Sequence, residues 1–71
     1  MYLHIGSSMT VRDSAIVGIF DLENTTISKH TRAFLKQAED NGEVVAVAED
    51  LPRAFVLTEE FGMERVYLTQ L

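Results

Sequence analysis

The segment Ala15-Ile16-Val17-Gly18-Ile19-Phe20-Asp21-Leu22 places the strongest constraint on this chain. Its length and β-branched content predict a strand. Alternation puts Ile16, Gly18, Phe20 and Leu22 on one face, and Ala15, Val17 and Ile19 on the other. Both faces are apolar, so both require cover. A glycine inside such a strand marks a bulge or a close backbone approach.

The rest of the chain offers one helix to provide that cover. It is predicted from about Ile27 to about Asn41. Thr25, Thr26 and Ser28 stand where an N-cap hydroxyl is wanted, and Asp21 and Glu23 lie near the positive end of the helix dipole. Ile27, Thr31, Phe34, Leu35 and Ala38 form one apolar stripe. Asn41-Gly42 is a stop signal. Before the central strand, Gly6-Ser7-Ser8 separates Leu3 and Ile5 from Met9-Thr10-Val11, which predicts a hairpin. After the helix, Val44–Ala48, Ala54–Thr58 and Arg65–Thr69 read as strands. Pro52 makes 49–52 a loop, and Glu59–Glu64 reads as a hairpin loop around Gly62. The expected order is β-β-β-α-β-β-β, a single α+β domain over residues 1–71 with a small, mostly antiparallel sheet and one main helix.

One helix shields one face of a five- or six-stranded sheet. With 71 residues the chain is also small, and a domain near 60 residues hides only about 60% of its unfolded surface. There is no cysteine and there are two histidines, His4 and His30, so neither disulfides nor a metal core can supplement that burial. A second copy of the chain is the expected supplement. The candidate interface residues are Ala15, Val17 and Ile19, or the opposite set Ile16, Phe20 and Leu22.

Catalytic signatures are missing. There is no Gly-x-Ser-x-Gly, no His-Glu-x-x-His, no phosphate loop and no dinucleotide fingerprint. Asp13, Ser14 and His30 have no spacing that makes a triad. The pairs Glu39-Asp40, Glu49-Asp50 and Glu59-Glu60 lack calcium-loop spacing and read as solvated charge. Neither an enzyme, a metal site, a cofactor nor a small-molecule substrate is expected. No apolar run approaches the roughly 18 residues of a membrane span. Met1–Gly6 has no basic n-region, and a cytoplasmic location is expected.

The cations are unevenly placed. Lys29, Arg32 and Lys36 fall at i, i+3 and i+7, one stripe on the exposed side of the helix. Arg12 and Arg53 precede strands. These five are the candidate DNA-binding residues, with contacts expected to phosphates. Against them stands a net charge of −5, which disfavours nucleic acid and anionic membrane as partners.

Met1–Gly6, Ile16-Val17-Gly18-Ile19-Phe20-Asp21, Thr25-Thr26-Ile27-Ser28, Phe34-Leu35 and Leu51-Pro52-Arg53-Ala54-Phe55-Val56 together resemble the RemB-type branch of the RemA/RemB extracellular matrix regulators, a family of small bacterial proteins formerly known as a domain of unknown function. The resemblance spans essentially the whole chain. It implies a subunit similar to the LytTR type of DNA-binding domain, closed with its copies into a ring that regulates biofilm-matrix genes. It also implies arginines at turns that grip the DNA backbone. Where the RemA-like branch carries an arginine pair, this chain has Asp50-Leu51, and only Arg53 falls in the matching basic stretch. Another family arginine corresponds to Ala15, with Arg12 nearby. The expected function is therefore a cytoplasmic, ring-forming regulatory protein with non-specific DNA-backbone contact. The alternative is an oligomeric protein-interaction scaffold without DNA affinity.

Overall fold

A computed structural model describes residues 1–6, 9–22, 29–47 and 51–70. The chain is an α+β unit whose strands are mostly antiparallel. In order, β1 (Tyr2–His4) and β2 (Thr10–Arg12) lead into a 3-10 turn at Asp13–Ala15. Then come β3 (Ile16–Asp21), α1 (Lys29–Asp40), β4 (Val44–Ala46), β5 (Ala54–Glu60) and β6 (Met63–Thr69). The strands do not share one sheet. β1 and β2 form a separate hairpin, and the other four are arranged β3-β5-β6-β4. β4 runs parallel to β6, with Val44 opposite Val66.

Two layers therefore cover the four-stranded sheet, one on each face. Phe55, Leu57, Val66 and Leu68 look toward α1 and pack with Phe34, Leu35 and Ala38. These helix positions lie on one stripe, as the i, i+4 spacing requires. Val56 and Tyr67 look the other way, onto Ile5, Val11, Leu3 and Met9 of the first hairpin. That hairpin covers the face expected to need a second subunit. It is tied down by the Thr69 hydroxyl, which donates to the carbonyl of Ile5. Gly6 makes the close approach possible, because a Cβ there would run into the Val47 side chain.

β3 departs from simple alternation. Its register against β5 slips between Ile16 and Gly18. Val17 is the extra residue, and such a bulge moves every later side chain to the opposite face. Ile16 thus joins the hairpin-side core, while Leu22 joins the helix-side core. Phe20 stacks on Phe55 with ring centroids 4.7 Å apart. The single-face grouping of Ile16, Phe20 and Leu22 is corrected accordingly.

The β5–β6 hairpin is longer than its sequence suggests. Residues 59, 60, 63 and 64 belong to the strands, and the turn is only Phe61-Gly62. Both turn residues have positive φ, 55° and 78°, the pattern of a type I′ turn. Such a turn matches strand twist, and it carries the pairing through four residues expected to form a loop. The N-cap hydroxyls and helix start at Thr25–Ser28, the turn at Ser7-Ser8, and the acidic Glu49-Asp50 lie outside the described residues.

Candidate functional site

Alternation along the β5–β6 hairpin sorts its polar residues. Thr58 and Glu60 of β5 share a face with Met63, Arg65 and Tyr67 of β6, while Glu59 and Glu64 pair on the opposite face. Beyond the end of the first hairpin, the former set meets Tyr2, Thr10 and Arg12 across a groove of about 260 Å³. Arg12 Nη1 lies 3.3 Å from Glu60 Oε2. Arg65 donates from Nη1 to the Glu64 carbonyl at 2.8 Å, and its Nη2 is 3.9 Å from Met63 Sδ. The Thr58 hydroxyl reaches the Arg65 carbonyl at 3.4 Å.

The five cations expected to touch DNA are spread over three surfaces. Lys29, Arg32 and Lys36 are exposed along α1, on the helix-covered side of the sheet, and Lys36 lies 4.0 Å from Asp40 one turn on. Arg12 precedes β3 across the 3-10 turn, but it is itself the last residue of β2, at the groove, and not a turn residue. Arg53 is exposed just before β5. Its amide donates to the Thr69 carbonyl at 2.9 Å, and its own carbonyl accepts from Leu22 N at 2.7 Å. Glu60, beside Arg12, is seven positions along β5 from Arg53. At roughly 3.3 Å per residue, Arg53 stands about 23 Å along β5 from the residue that Arg12 contacts. Arg65 joins Arg12 at the groove, a pairing invisible in the sequence because the two lie at opposite ends of the chain.

The candidate interface residues divide in the same way. Val17, Ile19 and Phe20 are 60%, 53% and 45% exposed. Ala15 is corrected: it closes the 3-10 turn and is only 6% exposed, buried within its own chain. Among the described residues β3 pairs on one side only, with β5. Its other side is an open sheet edge flanked by three large apolar side chains.

His4 and His30 are both exposed. Among the described residues no cluster of histidine, aspartate and glutamate is arranged to hold a metal ion. No described helix is long and apolar enough to cross a membrane. No family model and no curated protein matches the chain.

Proposed function

We propose that this chain is a regulatory protein working as a homo-oligomer, of the kind made by the matrix regulators it resembles. The subunits join through β3 and present arginines to nucleic-acid backbone. The observation that carries this reading is the exposed apolar edge formed by Val17, Ile19 and Phe20. An open edge with large apolar side chains is a template for pairing with another chain. A small domain gains from a partner the burial it lacks. Closure into a ring and a cytoplasmic location belong to the same reading.

Repetition gives the cations their effect. One subunit has no continuous basic face, since its cations occupy three surfaces. An assembly aligns one such group per subunit, and phosphate contacts then add. The contacts fall on phosphates because single, separated cations match the backbone by charge and read base edges poorly.

Light scattering combined with a salt-dependent DNA titration tests the reading. A mass of one 8.0 kDa chain at micromolar concentration overturns it. An intact oligomer that binds no long duplex at low salt selects the alternative, a protein-interaction scaffold. The net charge of −5 supports that alternative.

A further inference from the structure

The groove between the first hairpin and the far end of β5–β6 has features that assembly through β3 does not use. In a chain of net charge −5, its lining sets two guanidiniums, Arg12 and Arg65, against one carboxylate, Glu60. That carboxylate is already engaged by Arg12, and the contact occupies one of the five N–H donors of a guanidinium. Arg65 spends its contacts on a carbonyl and a sulfur. Among the described residues no carboxylate lies within 4.0 Å of it. Tyr2 and Tyr67 line the same space. Phe61, also part of the lining, is held at φ 55° and is 86% exposed. A bulky side chain in the left-handed region is a true outlier, and such strain gathers at ligand clamps.

We infer that this groove binds a nucleotide-type ligand, meaning a phosphate ester attached to a flat ring. Guanidiniums are matched to phosphate by charge and by their forked donors. Aromatic side chains hold a ring by stacking, whichever base it is. A bare anion would leave the exposed rings of Tyr2 and Phe61 unused, and an apolar ligand would leave Arg65 without a charge partner. The cavity of about 260 Å³ falls just under the usual range of about 300–1,000 Å³ for small-molecule sites. It is suited to about one nucleotide. That unit has two sources, a free mononucleotide or the end of a single strand. The inference does not depend on assembly through β3, and it goes beyond the backbone contacts proposed above.

The test is a set of amide-resolved NMR titrations of the whole 71-residue chain. The probes are adenosine 5′-monophosphate, adenosine, inorganic phosphate and a short single-stranded oligonucleotide. The monophosphate is expected to shift amides of Tyr2, Arg12, Arg65 and Tyr67. It should bind at least about tenfold more tightly than adenosine or phosphate. Arg65→Ala should weaken it by about tenfold or more, whereas Lys36→Ala on the helix should leave it unchanged. Arg12→Gln, at an exposed position, carries the same expectation as Arg65→Ala should that variant fail to fold. Tighter binding of the oligonucleotide assigns the site to strand ends, and tighter binding of the monophosphate assigns it to free nucleotide. Groove amides unmoved at millimolar monophosphate overturn the inference. So does a folded arginine variant that binds like wild type, or phosphate that binds as well as the monophosphate.

Discussion

Single atoms decide how the first hairpin stays on the sheet. The Thr69 hydroxyl donates to the Ile5 carbonyl, and both residues are buried. Thr69→Val keeps the shape but leaves that carbonyl without its side-chain donor, which costs about 1–3 kcal/mol. The loss should appear in a denaturant midpoint with an unchanged slope. Gly6→Ala acts at the same seam, because the new methyl meets Val47. It should destabilise the chain at least as much as Thr69→Val does. Phe61 is the opposite case. Its left-handed backbone costs an ordinary residue roughly 1–2 kcal/mol, and Asn-Gly is the preferred pair for this turn. Phe61→Asn should therefore raise the thermal midpoint. If the strained ring serves the groove, the same variant should bind adenosine 5′-monophosphate less tightly. Gain in stability with loss of binding is the signature to look for, and a gain without that loss makes Phe61 a turn residue only.

Elements show what the sequence makes legible and where it stops. The sheet-facing stripe of α1 follows from spacing, since Phe34, Leu35 and Ala38 can meet one surface only in a helix. The strand at β3 was equally readable, and Gly18 marked its irregularity. The bulge sits beside that glycine, at Val17. Its effect on facing was not readable, because alternation has no memory of an inserted residue. The two-residue turn at Phe61-Gly62 was obscured by its own composition, as phenylalanine rarely opens a turn with positive φ. The groove was hidden for another reason: it joins Arg12 to Arg65 through tertiary packing. The split into two sheets has the same origin, and it changes what a charge at β3 should do. Val17 and Ile19 are more than half exposed within one chain, so Val17→Lys and Ile19→Lys should leave the circular dichroism of the fold intact. In light scattering they should lower the mass toward a single subunit. A folded variant that keeps the parent mass would remove β3 from the interface.

The whole molecule is acidic, and its cations stand on three surfaces, so under the proposed function affinity for DNA would depend on how copies are arranged. Arg53 stands about 23 Å along β5 from the Glu60 that Arg12 contacts, at the strand rise of roughly 3.3 Å per residue, so the two arginines do not act as one fork on one phosphate. In the proposed oligomer each subunit would offer separate single contacts, and the assembly would multiply whichever of them it aligns. Binding should be weakly sequence-dependent and fall steeply with salt, each phosphate contact adding roughly 0.9 to the log–log slope. Arg53→Ala removes one contact from every subunit that touches the duplex. Its slope should drop by about 0.9 for each such subunit, and its affinity by far more than a single lost contact gives. Arg32→Ala provides the comparison, since it lies on the exposed side of α1. Equal losses from both variants would mean that a diffuse positive field holds the DNA. A steep loss from Arg53→Ala with little change from Arg32→Ala would place the duplex along the start of β5. The reverse result would place it along the helix and remove Arg53 from the interface.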